Sequence, residues 1–172
     1  MPITSYAIAL GSNRRGRHGS PEREVRAALA AIGGVAAVSP LVRTRPLGPS
    51  HRQFANAAAI VETGEAPPAL LRRLKAIERA FGRRRGIRWG ARVIDLDIIL
   101  WSEGAWASPG LTIPHPEFRA RRFVLDPLVL LVPWWRDPLT GLSVRQIAAR
   151  AISGCRSIPS WRALRRSGPS VR

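Results

Sequence analysis

The sequence predicts an α+β fold in which one antiparallel sheet carries its helices mainly on one face. Three observations predict it. Short apolar runs and amphipathic stretches follow one another in the order strand, helix, strand, strand, helix, strand. Both helical stretches carry recognisable start and stop residues. The last strand of the series, Val93 to Trp101, alternates with a period of two. That order is the βαββαβ pattern of ferredoxin-like domains.

Taken along the chain, Tyr6 to Leu10 is a short apolar run that enters Gly11-Ser12-Asn13, a strand followed by a turn. Ser20-Pro21-Glu22 opens a helix, with serine as N-cap, proline at the first helical position and acids in the first turn. Val25, Ala28, Leu29 and Ile32 form its apolar stripe, and Gly33-Gly34 ends it. Val35 to Arg43 reads as a second strand, Thr44 to Gln53 as a loop, and Phe54 to Glu62 as a third strand. Pro67-Pro68 starts a second helix with Leu70, Leu71, Leu74, Ile77 and Phe81 at helical spacing, stopped by Gly82. After the strand at 93–101, the sequence predicts a small hairpin around Gly104, a Pro-His-Pro turn at 114–116 and a short helix near 117–121. Helical segments at 125–131 and from Ser143 to Arg150 close the pattern. The expected organisation is one domain over residues 1–152 and a basic, turn-rich, poorly ordered tail over 153–172.

Composition narrows the function classes. With 172 residues, the chain has room for one hydrophobic core. Apolar residues make up 45% and charged residues 23%, which fits a globular domain and not a disordered one. The longest apolar stretch, Phe123 to Trp135, is broken by Asp126, Pro127 and Pro133 and falls short of the roughly 18 to 20 residues that cross a bilayer. The first residues show no basic segment or cleavage site of a secretory signal, and Cys155 is the lone cysteine. A cytoplasmic monomer without a membrane partner is expected. Net charge is +17, and every basic residue except Lys75 is arginine. Such a surface attracts phosphates, and the planar guanidinium can bind them bidentately.

Asp95-Leu96-Asp97 is the sharpest chemical signal. Ile94, Leu96, Ile98 and Leu100 share one strand face, read as the core, so Asp95 and Asp97 share the other. Their Cα atoms should lie about 6.8 Å apart, two residues of strand rise. Left unshielded, they would repel by roughly 2 kcal/mol at an effective dielectric near 20. Two Mg²⁺ ions would fit between and beyond the pair. Pairing with neighbouring arginines is the alternative. The preceding segment, residues 82–92, holds five arginines and three glycines, as expected where a polyphosphate is held beside a metal. Its Trp89 is hard to read as solvated. His115 sits between two prolines, and Phe54 and Asn56 share a strand face. The chain has no GxxxxGK[ST], GxGxxG or HExxH motif.

Together these residues resemble the 6-hydroxymethyl-7,8-dihydropterin pyrophosphokinase family. The resemblance runs over about residues 5 to 150 and keeps the order of its motifs. They are Leu-Gly-Ser-Asn at 10–13, Thr-x-Pro-Leu-Gly at 44–48, Phe-x-Asn at 54–56 and Glu78 before Gly82-Arg83. Arg-Trp-Gly-x-Arg-x-Ile-Asp-Leu-Asp at 88–97, Leu-Thr-Ile-Pro-His-Pro at 111–116 and Arg-x-Phe-Val-Leu-x-Pro-Leu at 121–128 complete the series.

The resemblance implies transfer of diphosphate from ATP to the hydroxymethyl group of the pterin, with release of AMP, in folate biosynthesis. It implies that Asp95 and Asp97 hold two Mg²⁺ ions, with Arg83 and Arg92 also catalytic. Glu78, Arg83, Arg85, Arg88, Trp89, Arg92, Ile98, Thr112, His115 and Arg121 would bind ATP, with the 82–92 segment as a lid. Thr44, Leu47, Phe54, Asn56 and Phe123 would bind the pterin, the two rings stacking on it. Departures are Ala91 in place of a proline, Lys75 where glutamine is common, and His51-Arg52-Gln53 in place of an acidic run. Two rivals remain: a nucleic-acid-binding module suggested by the charge, and a relative that binds pterin without turnover. Against the first, the sheet lacks an aromatic stacking pattern and places two acids where phosphates would lie. Against the second stand the intact aspartates.

Overall fold

The structure is a computed structural model describing residues 2–44, 54–82 and 93–154. Strand β1 (Thr4–Ser12) runs through the middle of the main sheet. It pairs antiparallel with β4 (Phe54–Thr63) on one side and β5 (Asp95–Trp101) on the other. Beyond β4 come β2 (Val35–Val38) and β3 (Val42–Thr44), both antiparallel to it, giving the order β2-β4-β1-β5 with β3 also on β4. Helices α1 (Pro21–Ile32) and α2 (Pro67–Ala80) belong to the βαββαβ core. Helices α3 (Arg122–Leu131) and α4 (Val144–Gly154) follow it. A small hairpin, β6 (Trp106–Ser108) with β7 (Leu111–Ile113), stands between the two groups. Among the described residues no helix is long and apolar enough to cross a membrane.

Local sequence explains most boundaries. The Ser20 side chain accepts a hydrogen bond from the Arg23 amide at the start of α1, and Pro21 fills its first position. Gly33 and Gly34 take φ of 67° and 63°, which end the helix. At Gly34 a side chain would also meet the Glu62 carbonyl at 2.6 Å.

The predicted single strand over 35–43 is two strands. Pro40 has no N–H to give the ladder. Beside it, Ser39 bonds Ala58 twice: its amide donates to the Ala58 carbonyl and its hydroxyl accepts from the Ala58 amide, both at 2.9 Å. The chain then resumes pairing on the same edge of β4 as β3. The hairpin turn lies at Pro109-Gly110, where Gly110 has φ 78°, and not at Gly104, which closes a turn back to Trp101. The short helix near 117–121 is a 3-10 turn at Phe118–Ala120, and α3 begins at Arg122, three residues before the expected start.

Both faces of the sheet are covered, but differently. Under α1 and α2 lie Tyr6, Ile8, Leu10, Ala57, Ala59, Val61, Leu96 and Ile98, packed with Val25, Ile32, Leu70 and Leu74. The opposite face is covered by α3 and α4, where Val124, Leu125, Leu128, Val144 and Ile147 meet Ala7, Ala58, Ile60, Ile99 and Leu100. Leu100 therefore does not share the face of Leu96. A bulge in β5 breaks the alternation, because Ile8 faces Ile98 while Ala7 faces Leu100, leaving Ile99 without a partner on β1. Trp101 returns to the first face, stacked on Tyr6 with centroids 5.8 Å apart.

Candidate active site

The register across three strands builds the site. Gly11 of β1 lies opposite Asn56 of β4 and Asp95 of β5. Ala9 lies opposite Ala58 and Asp97. Directly opposed residues of antiparallel strands share a face, so these rows stand on the side covered further along by α3 and α4. Glycine and alanine at the middle positions leave a low floor between an amide on one strand and two carboxylates on another. The floor is tight at one point: a Cβ on Gly11 would stand 3.2 Å from the Asn56 Oδ1.

Asn56 is buried, and its Nδ2 donates to the Thr44 Oγ1 at 2.8 Å. Thr44 in turn lies opposite Phe54, so Thr44, Phe54 and Asn56 form one corner of the cleft. Phe123 sits half-buried in the first turn of α3, with the Arg121 guanidinium 5.8 Å from its ring centroid. Arg121 is also paired with Glu117. The His115 amide donates to the Ile99 carbonyl at 3.0 Å, which seats the Pro-His-Pro turn two residues beyond Asp97. Its ring Nδ1 accepts from the Glu117 amide at 3.2 Å.

The other flank is the edge of β5 turned away from β1. Here α2 supplies both halves of a clasp: the fully buried Glu78 accepts the Leu96 amide at 2.8 Å, and the Lys75 Nζ donates to the Leu96 carbonyl at 2.9 Å. Lys75 and Glu78 are themselves joined at 2.7 Å. Edge groups of a strand need such partners. Because Leu96 is the middle residue of Asp95-Leu96-Asp97, the clasp fixes the backbone between the aspartates. The Lys75 Nζ is also 3.5 Å from the Asp97 Oδ1.

The structure thus brings Thr44, Phe54, Asn56, Asp95 and Asp97 to one end of one face, with Glu78 behind the strand edge and His115 tied in through Ile99. It does not bring the Ile98 side chain there, since that chain is buried on the α1–α2 face. Thr112 is exposed on β7, opposite Ala107. Leu47, Arg83, Arg85, Arg88, Trp89 and Arg92 lie outside the described residues. The residues bordering that stretch are held: Arg17 and His18 rest on the Phe81 ring, and Gly16 lies so close to Val93 that a Cβ would meet its Cγ1 at 2.4 Å. The loop that does this is anchored by the buried Glu24, which accepts the His18 and Gly19 amides and pairs with the His18 Nδ1.

Sequence reasoning missed the low floor at Gly11 and Ala9 and the Lys75–Glu78 clasp. The first could have been sought once β1 was set beside Asp95. The second carries a local signal, an opposite-charge pair three residues apart on a helix.

The donor set suits a hard divalent cation. Asp95 and Asp97 offer carboxylate oxygens from the same face, both half-buried. Among the described residues no group of three or more His, Cys, Asp or Glu could hold a metal ion. A carboxylate pair is a set that Mg²⁺ can use, since it binds through one or two carboxylates and completes its shell with water and substrate phosphates.

A profile of the family described as 7,8-dihydro-6-hydroxymethylpterin-pyrophosphokinase (HPPK) matches residues 7–133. The 2-amino-4-hydroxy-6-hydroxymethyldihydropteridine pyrophosphokinase of Pseudomonas aeruginosa is 40% identical over 163 residues, covering 91% of this chain and 98% of that protein. Its namesake from Haemophilus influenzae is 40% identical over 132 residues, covering 73% and 79%. Among solved structures, the wild-type HPPK-DHPS of Plasmodium falciparum superposes with a TM-score of 0.70 at 13% identity, over 88% of this chain and 44% of that one. At that identity the superposition speaks for the fold, and the fold is the ferredoxin-like α+β one. The profile match and the near-full-length likeness to the Pseudomonas protein agree with the motifs in these three strands, and the chain belongs to the 7,8-dihydro-6-hydroxymethylpterin-pyrophosphokinase family.

Proposed function

We propose that the cleft on the second face of the sheet is where this chain carries out its family's reaction. The reaction follows from membership: transfer of diphosphate from ATP to the hydroxymethyl group of 6-hydroxymethyl-7,8-dihydropterin, a step of folate biosynthesis. The observation that carries the placement is the register of Asp95 and Asp97 against Gly11 and Ala9, one strand away from Asn56.

In this reading the pterin lies on the low floor. Phe54 and Phe123 stack on its two faces, and Asn56 with the backbone from Thr44 to Leu47 meets its hydrogen-bonding edge. The Thr44 Oγ1 accepts from the Asn56 Nδ2 and so fixes which way that amide is turned. Arg83, Arg85, Arg88, Arg92, Arg121 and His115 bind phosphates, with Glu78, Trp89 and Thr112 lining the rest of the ATP site and Ile98 meeting it through its backbone alone, its side chain being in the core. Asp95 and Asp97 hold two Mg²⁺ ions, which when bound supply charge neutralisation at the phosphates and the attacking oxygen. The hydroxymethyl oxygen forms a bond to the β-phosphorus, the bond from that phosphorus to the α–β bridging oxygen breaks, and AMP leaves. Asp97 is the candidate to help take the hydroxyl proton. Catalysis on this account is positioning and electrostatics, with no covalent intermediate on the protein. The protein acts as a cytoplasmic monomer with no specific nucleic-acid or membrane partner.

The test is AMP release from ATP and Mg²⁺ with and without hydroxymethyl-dihydropterin. Pterin-dependent AMP is the expected result. Its absence, together with RNA binding that survives physiological salt, would replace the kinase by a nucleic-acid module whose contacts are the arginines.

A further inference from the structure

The single lysine of the chain stands in an odd place. Lys75 reaches from α2 over the edge of β5, donating to the Glu78 Oε1 at 2.7 Å and the Leu96 carbonyl at 2.9 Å. Its ammonium is 3.5 Å from the Asp97 Oδ1, and both side chains are about one-third exposed. A fixed positive charge thus rests against a carboxylate that the proposed function assigns to a metal.

The geometry sets the consequence. A Mg²⁺ ion on that same oxygen, about 2.1 Å from it, could stand no further than about 5.6 Å (3.5 plus 2.1) from the Lys75 nitrogen. Free Mg²⁺ carries two positive charges and is repelled at that range. The complex of Mg²⁺ with ATP carries net negative charge and is attracted. The same ammonium therefore acts with opposite sign on the two forms in which the metal can arrive. Glu78, joined to the same ammonium at 2.7 Å, offsets part of this field in the parent, but a neutral side chain at position 75 removes the positive charge and leaves the carboxylate, so the sign of the change at the metal is set.

We propose that Lys75 is a positioning and selecting residue of this active site: it holds Asp97 in place before substrate binds and makes the site accept Mg²⁺ as its ATP complex rather than alone. This rests on the assignment of Asp97 as a metal ligand. A lysine serving only the fold would bond Glu78 and Leu96 equally well without touching metal affinity.

The experiment is a pair of calorimetric titrations of the full chain, one with MgCl₂ alone and one with Mg²⁺ and ATP together. Lys75→Met and Lys75→Gln should bind free Mg²⁺ at least about tenfold more tightly than the parent and the ATP complex more weakly, the crossing of signs that unit charge at this distance produces. Lys75→Arg keeps the charge and should restore the parental order. Lys75→Gln keeps a neutral N–H donor at that position, so it carries the test if Lys75→Met does not fold. Unchanged or weaker binding of free Mg²⁺ in both neutral variants would overturn the proposal. Asp97→Asn separates the two readings. If it binds the ATP complex as the parent does, the metal assignment itself fails. If it loses binding while the lysine variants match the parent, only the role of Lys75 fails.

Discussion

Under α1 and α2 the central strand β1 contributes Tyr6, Ile8 and Leu10, all closed off from solvent; on its other face it contributes Ala7, Ala9 and Gly11. The first set is bulky along its whole length. The second shrinks toward one end, and the residues beside it change from Ile60 and Leu100 to Asn56, Asp97 and Asp95. One face is therefore core throughout. The other is core at one end, under α3 and α4, and a cleft floor at the other. This division shows how a small domain accommodates a charged site: the stabilising area is concentrated on a face the site never uses. Alternation along one strand keeps the two roles apart, since neighbouring residues such as Ile8 and Ala9 belong to different faces.

The largest effect expected from breaking this division lies at Asp97. Asp97→Ala should lower turnover by about a thousandfold or more, as loss of several kcal/mol of charge stabilisation implies. The melting temperature should stay within about 3 °C of the parent, because no core contact is lost. AMP release and a thermal melt on the same sample check both halves. A variant with more than a tenth of parental turnover would remove Asp97 from the chemistry. On the opposite face the pattern should invert. Ile8→Ala empties a fully buried site and should cost about 3 kcal/mol of stability in urea unfolding, while the Michaelis constant for pterin stays put. A large rise in that constant would mean that the two faces are coupled.

Elements written in neighbouring residues were legible in the sequence. Helix α1 is an example, with Ser20 and Pro21 at its start and Gly33-Gly34 at its end. The shared face of Asp95 and Asp97 followed from strand period alone. What was not legible depends on partners far away in sequence. The bulge that moves Leu100 to the second face exists only because β1 meets β5 in a shifted register, and nothing in Ile98-Ile99-Leu100 announces it. The split of the second strand depends on Ala58 being there to bond Ser39. Ile98, assigned to ATP through the family motif, packs into the core, since a motif names a residue without saying which way its side chain points. Lys75 entered only as a departure. Its meaning appeared when α2 was laid along the edge of β5.

A smaller effect is expected at the floor. Gly11→Ala puts a methyl 3.2 Å from the Asn56 Oδ1, tighter than ordinary contact, in the space assigned to the pterin. Pterin affinity should fall by about tenfold, near 1.4 kcal/mol, with little change in unfolding free energy. Calorimetry with pterin and, separately, ATP distinguishes the cleft from a general loosening. Equal losses for both ligands would mean that the glycine serves the strand and not the floor.

The smallest effect tests a third carboxylate, Asp137, which is fully buried away from the cleft. Burial alone would raise its pKa, but the bidentate Arg119 pair at 2.7 and 2.8 Å, the Thr140 hydroxyl at 2.6 Å and the Leu139 amide outweigh it and hold the group below the ordinary range. A carboxyl depressed in the folded state adds stability that is fully present above its unfolded pKa, near 3.9, and is lost as pH falls through the folded value. Thr140→Ala removes one of these hydrogen bonds and should cost about 1 kcal/mol at pH 7. It should also bring the folded pKa nearer the unfolded one. The parent then has more to lose in acid than the variant, so their unfolding free energies should converge as pH drops below about 4. Urea unfolding at pH 7, 5 and 3.5 measures this, and turnover at pH 7 should not change. A gap that stays constant across the series would show that the threonine acts by packing alone, and that Asp137 keeps its low pKa through Arg119 without it.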